Sequence, residues 1–219
     1  MTLLLESVNI FDSAVESKLV KELRKSFPDE QYLHLLEKGL KFYQTNFWYP
    51  LDRKPENIFE SVIQDLKTLA NPSPAVIGVE WWFSVTFTNT TPQWLLGCHF
   101  DRNNLNEREF EKISHPKTAS VLFLNKVSYG DLVVTDQVLT KNGISRSEPT
   151  DMKFVSPKTN RFVTFPGNLY HGVIGRMWRP RKETQLRIAM AVNWWEHKPM
   201  NSYMQDSRES ASVFKLTSR

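Results

Sequence analysis

Ala75-Val-Ile-Gly-Val-Glu-Trp-Trp-Phe-Ser-Val-Thr-Phe-Thr-Asn-Thr90 decides the fold. Val79, Trp81, Phe83, Val85 and Phe87 alternate with Glu80, Trp82, Ser84, Thr86 and Thr88. Side chains two apart share one face of a strand, so this period predicts a strand with an apolar face and a largely polar one. Downstream, short runs of the same texture continue: QWLLGCHFD (93–101), TASVLFLN (118–125), DLVVTDQ (131–137), RFVTFPG (161–167), HGVIG (171–175) and QLRIAMAVNWW (185–195). Upstream the period is helical. Val15, Leu19, Leu23 and Phe27 recur behind a cap at Asp12-Ser13, and Leu33, Leu36, Leu40 and Tyr43 form a second stripe. Ile58, Val62, Leu66 and Leu69 form a third behind Pro55, and Asn71-Pro72-Ser73-Pro74 ends it. Helices followed by many short strands predict an α+β chain: a jelly roll of the cupin kind over 75–196, a mostly helical part over 1–70 packed on it, and a polar tail over 197–219. A single domain over 1–219 is expected.

The 219 residues suffice for one sizeable core, and 40% hydrophobic with 24% charged content is that of an ordinary globular chain. A net charge of +4, with no dominant Lys/Arg run, reads as a solvated basic surface, so a nucleic-acid partner is not expected. Cys98 is the one cysteine, which excludes an intrachain disulfide and fits a reducing, cytoplasmic location. The N-terminus lacks a signal-peptide pattern and no apolar run approaches the roughly 18 residues of a membrane span, so no membrane partner is expected. Oligomeric state has no signature.

Within the 93–101 run, His99-Phe-Asp101 places a histidine and a carboxylate two residues apart, on one face if the strand is regular. Alone, such a pair reads as a surface turn. A third ligand changes its weight: His171 follows the 161–167 run through a Gly167-Asn168 turn that delivers it at a sheet edge. His99, Asp101 and His171 then make the 2-His-1-carboxylate face of a non-haem iron(II) site with open positions. On the last run, Leu186, Ile188, Met190 and Val192 share the core face, while Arg187, Ala189, Ala191 and Asn193 share the other. A lone arginine beside two small residues faces either an internal Asp or Glu or the carboxylate of a bound cosubstrate. His34, His115 and His197 read as surface or packed histidines, Cys98 as an inert thiol, and one of the loops 102–117 and 137–154 as a lid.

Taken together, these motifs resemble the 2-oxoglutarate- and Fe(II)-dependent dioxygenase superfamily, in its prolyl-hydroxylase-like branch. The resemblance spans about 75–196. It rests on His99-x-Asp101, on SVLFLNKVSYGDLVVTD (120–136), on VSPKTNRFVTFPGNLYHGV (155–173) with its distal His171, and on Arg187. It implies iron held by His99, Asp101 and His171, and 2-oxoglutarate bound through its far carboxylate by Arg187. O2 is then consumed to hydroxylate a C–H bond of a small-molecule substrate with release of succinate and CO2. Protein or nucleic-acid oxidation, or a non-catalytic jelly-roll module, are the alternatives. The chain departs from the branch in three places. His171 and Arg187 are sixteen residues apart, with MWRPRKET (177–184) between; Phe123 stands where relatives carry a tyrosine; and Ala189 stands in place of a hydroxyl residue. Thr135, Thr164 and Asn193 are the candidate second partners of the far carboxylate.

Overall fold

The computed structural model describes residues 5–27, 45–87, 94–103, 113–140, 142–175, 186–200 and 204–214. The second helical stripe with His34, and the 177–184 insertion with Arg179 and Arg181, lie outside them, as does Arg176.

Strands β1 (Asn9–Asp12), β2 (Asn46–Pro50), β3 (Gly78–Phe87), β4 (Trp94–His99), β5 (Thr118–Phe123), β6 (Asp131–Thr140), β7 (Gly143–Ile144), β8 (Met152–Val155), β9 (Arg161–Pro166), β10 (Leu169–Ile174), β11 (Leu186–Trp195) and β12 (Met204–Asp206) form two sheets. The larger runs β1-β9-β5-β11-β3-β2-β12; the smaller runs β4-β10-β6-β7, with β8 also on β6. From β3 onward the chain crosses repeatedly between them: β3, β5, β9 and β11 lie in the large sheet, and β4, β6, β8 and β10 in the small one. This is a jelly-roll-like pair of sheets. Helices α1 (Ser17–Ser26) and α2 (Ile58–Ala70) are the long helices among the described residues, and a one-turn α3 (Ser210–Val213) follows β12.

The alternation in β3 explains the layers. Val79, Trp81, Phe83 and Val85 are buried in one cluster with Val20 and Leu23 of α1, Phe59, Val62, Ile63 and Leu66 of α2, and Ile188, Met190 and Val192 of β11. That face of the large sheet is covered by helices, and its opposite face meets the small sheet. There Ala119, Val121 and Phe123 of β5, Leu132 and Val134 of β6, Val163 and Phe165 of β9 and Ala189 of β11 form a second cluster. Strands β5, β9 and β11 in the middle of the large sheet are therefore buried on both faces, so polar positions on them are few.

The N-terminal part differs from its expected helical character. Asp12-Ser13 does not cap a helix: Asp12 ends β1 and accepts hydrogen bonds from Arg161 and Lys158, and α1 starts at Ser17. Residues 46–50, expected at the end of a helix, are strand β2 because Phe47, Trp48 and Tyr49 complete the large sheet beside β3. Helix α2 begins three residues after Pro55, where the Asn57 side chain accepts from Glu60 N–H, and ends at Asn71 in the left-handed region. The expected lid over 137–154 is mostly a hairpin, with β6 continuing to Thr140 and pairing with β7 and β8.

Buried Glu60 ties these additions together. It accepts from Arg53 Nη2 at 2.5 Å and from Glu56 N–H at 2.7 Å, while Arg53 Nη1 also reaches Asp206 at the end of β12. Glu60→Ala strands a half-buried guanidinium and is expected to cost about 3 kcal/mol in urea unfolding. A change under about 1 kcal/mol would show that Asp206 alone holds Arg53.

Candidate metal centre

Strand β4 ends at His99 and β10 passes beside it, with His171 directly opposite His99 in the pairing. The register, rather than a turn at a sheet edge, brings the two imidazoles together, because residues directly opposite in an antiparallel pair share a face. Their ring centroids are 4.6 Å apart. Asp101 lies just beyond the strand and reaches back: Oδ1 is 3.6 Å from His99 Nε2 and Oδ2 is 3.4 Å from His171 Nε2. One ligating atom from each of the three residues lies within 4.8 Å of the others, close enough to hold a metal ion.

The orientation of both rings is set by backbone. His99 Nδ1 is 2.9 Å from the Gly97 carbonyl, and His171 Nδ1 is 2.9 Å from the Leu169 carbonyl. A carbonyl only accepts, so each Nδ1 carries a proton and each Nε2 faces Asp101, as a donor when the ring is charged and as a free ligand atom when it is neutral. The electrostatics are those of an anion between two bases. Burial opposes ionisation of Asp101, but the neighbouring His171 and His99 hold its carboxyl well below the usual range. Burial likewise disfavours a charged His99, yet hydrogen bonding and attraction to Asp101 hold it above its ordinary value. Such a cluster binds cations: protons alone, or a divalent ion in their place.

Contacts from distant segments support Asp101 and its flank. His115, expected at the surface, donates from Nδ1 to the Asp101 backbone carbonyl at 2.7 Å. Asn103 N–H donates to the Ser114 carbonyl, so the strand entering β5 grips the ligand loop. A histidine fourteen residues from its partner leaves no periodic signal. Asn193 on β11 donates from Nδ2 to Asp101 Oδ2 at 3.0 Å.

The cavity beside the three ligands has a volume of about 50 Å³, and Arg187, Asn193, Trp82 and Phe165 line it with them. Arg187 is 1% exposed. Its Nε donates to the Gly130 carbonyl at 2.9 Å, and its guanidinium carbon lies 4.9 Å over the Phe123 ring. Phe123 is thus the face on which the cation stacks. Burial pushes Arg187 down to about 10, partly offset by Asp131. Arg187 Nη1 is buried without a hydrogen-bond partner among the described residues. So is Thr86 Oγ1, and Thr86 stands directly opposite Arg187 in the β3–β11 pairing. Only strand register brings this buried hydroxyl beside Arg187, so no spacing along β11 could reveal it.

The other candidates lie elsewhere. Thr135 is buried, bonds to the Tyr170 carbonyl, and lines a separate cavity of about 710 Å³ with Cys98, Gln137 and Tyr170. Thr164 pairs with Asn9 and Ser120 inside the large sheet and does not line the metal cavity. Cys98 is half-buried, and burial pushes its thiol up to about 11, away from reactivity. His197 meets Ser114 Oγ.

Gly130 is where the backbone must accommodate Arg187. Its φ is +90°, and a Cβ there would stand 2.7 Å from Arg187 Cδ. Gly130→Ala is expected to destabilise by about 1–3 kcal/mol from backbone strain alone, read as a lowered urea midpoint. A neutral result would mean that the turn relaxes and the arginine moves.

No family model matches the sequence, and no curated protein matches it. Solved structures do resemble it. AviO1 from Streptomyces viridochromogenes Tue57 superposes with a TM-score of 0.50 at 11% identity, over 90% of this chain and 96% of that one. A prolyl-4-hydroxylase from Pseudomonas putida gives 0.46 at 12%, over 88% and 94%. HygX from Streptomyces hygroscopicus, solved with nickel and 2-oxoglutarate bound, gives 0.46 at 10%, over 88% and 86%. At these identities the likeness concerns the fold.

Proposed function

We propose that the chain is an Fe(II)- and 2-oxoglutarate-dependent oxygenase that hydroxylates a C–H bond of a small molecule, built on a double-stranded β-helix of the cupin kind. One observation carries the reading. A fully buried guanidinium with an unpartnered Nη1 lines the same small cavity as two histidines and a carboxylate. A buried cationic donor left without an acceptor is costly, so Nη1 is kept for an anion. A dicarboxylate acid that ligates a metal at one end is the ligand that uses both features. The strand order supports the β-helix, since β3-β11-β5-β9 and β4-β10-β6-β8 interleave along the chain.

In this reading His99 and His171 Nε2 and Asp101 would hold iron(II), with the keto acid end of 2-oxoglutarate beside it. The donor set fits: two neutral imidazoles and one carboxylate suit a divalent ion and leave it a net positive charge. Arg187 Nη1 and Thr86 Oγ1, two donors without partners on adjoining strands, bind the far carboxylate. Leu132, Val121 and Phe165 give the middle of the cavity an apolar wall for the methylene segment. When bound, the iron supplies oxidation of a C–H bond coupled to decarboxylation of the keto acid. The protein's part is to orient the acid, hold Asp101 in its anionic form, and exclude bulk water around Arg187. A small-molecule substrate is favoured by the modest charge and by the lack of a basic stripe carrying aromatics.

The test is turnover. Purified protein with Fe(II), O2 and 2-oxoglutarate is screened against amino acids and acidic metabolites for succinate release. Succinate formation that depends on both Fe(II) and an added compound supports the reading. Absence of any Fe(II)-dependent succinate, even the slow substrate-free release, would sink it.

A further inference from the structure

We propose that Asn193 is a positioning residue for Asp101 and takes no part in holding the far carboxylate of the cosubstrate. This rests on the metal-centre reading above and adds a role to it. Asn193 is 1% exposed on the cavity face of β11. Its Nδ2 donates to Asp101 Oδ2 at 3.0 Å. A carboxylate offers only acceptors, so the amide nitrogen must face it, and the reversed amide would set oxygen against oxygen. The bond occupies one lobe of Asp101 and fixes the plane of its carboxylate before any ion binds.

The same orientation decides what the other end of the amide can do. Asn193 Oδ1 is buried with no hydrogen-bond partner among the described residues. Asn193 and Arg187 line the same cavity. An unpartnered acceptor there is disfavoured next to 2-oxoglutarate, whose polar atoms are all acceptors at neutral pH. It suits a donor, such as water or an O–H or N–H of the substrate. Distance points the same way. Asn193 lies six residues along β11 from Arg187, roughly 20 Å of strand, whereas a carboxylate is small. Thr86, opposite Arg187, can share that carboxylate with the arginine; Asn193 marks the other end of the cavity. The expectation that Asn193 replaces the hydroxyl missing at Ala189 is therefore redirected to the metal end.

Co(II) is the probe, titrated into metal-free wild type, Asn193→Leu and Asn193→Ser and followed by visible absorption. Loss of an outer-shell partner costs roughly 10–100-fold in metal affinity, and the leucine variant is expected to lose that much. Serine, which keeps a donor, is expected to recover part of it. 2-Oxoglutarate is then titrated into each protein saturated with Co(II). Its affinity is expected to stay within about twofold, as for separated sites. Wild-type Co(II) affinity in the leucine variant, a serine no better than leucine, or a tenfold loss of 2-oxoglutarate affinity at saturating Co(II) would each overturn the assignment. Wild type that binds no Co(II) would overturn the metal centre itself, and this assignment with it.

Discussion

Arg187→Ala is expected to weaken 2-oxoglutarate binding by about 3–5 kcal/mol, roughly two to four orders of magnitude in Kd. The size follows from the burial of the guanidinium, which is 1% exposed and whose pKa is held down to about 10. Removing the arginine leaves the anion in the same dry cavity without its counter-charge, and that penalty exceeds the worth of the hydrogen bonds alone. Arg187→Lys is expected to restore little, because an ammonium cannot both donate to the Gly130 carbonyl as Nε does and stack on Phe123. Thr86→Val, which deletes one neutral donor at nearly constant volume, is expected to cost about 1 kcal/mol. All three are read by titrating 2-oxoglutarate into Mn(II)-loaded protein. An Arg187→Ala Kd within threefold of wild type would remove the arginine from the site.

Asp101→Ala is expected to abolish stoichiometric metal binding at micromolar concentrations. The loss should exceed the roughly 10–100-fold typical of outer-shell partners, since it removes the only anionic ligand and leaves two neutral imidazoles. The His115 bond to the backbone of residue 101 can persist in the variant, whereas the Asn193 bond is lost with the carboxylate. Equilibrium dialysis against Mn(II) decides it. A variant that retains one tightly bound ion per chain would show that the ligands are not His99, Asp101 and His171.

Much of this arrangement was legible in residue order. The strand period over 79–87, the in–out alternation of β11 and the spacing of His99 and Asp101 all depend on local geometry, which a sequence records directly. Arg187 could be placed on a face of small residues for the same reason. What escaped depends on register between distant segments. Thr86 meets Arg187 only through the β3–β11 pairing, and His115 meets Asp101 only because the chain returns to β5 at that point. The N-terminal part was read as helical because its apolar spacing is locally helical around α1 and α2. Phe47, Trp48 and Tyr49 instead took their structure from an open edge of the sheet, a tertiary demand that outweighs local pattern. Residue type alone points to Thr135, and the pleat of β6 turns it to the other face.

The central claim is that one cavity holds iron(II) and 2-oxoglutarate together. Adding Fe(II) and then 2-oxoglutarate to metal-free protein under strict exclusion of oxygen tests it without any knowledge of the substrate. The account predicts a weak visible charge-transfer band that appears only with both components, saturates at one equivalent of each and is lost in Arg187→Ala and Asp101→Ala. No band, together with no rise in Tm when the pair is added, would contradict it.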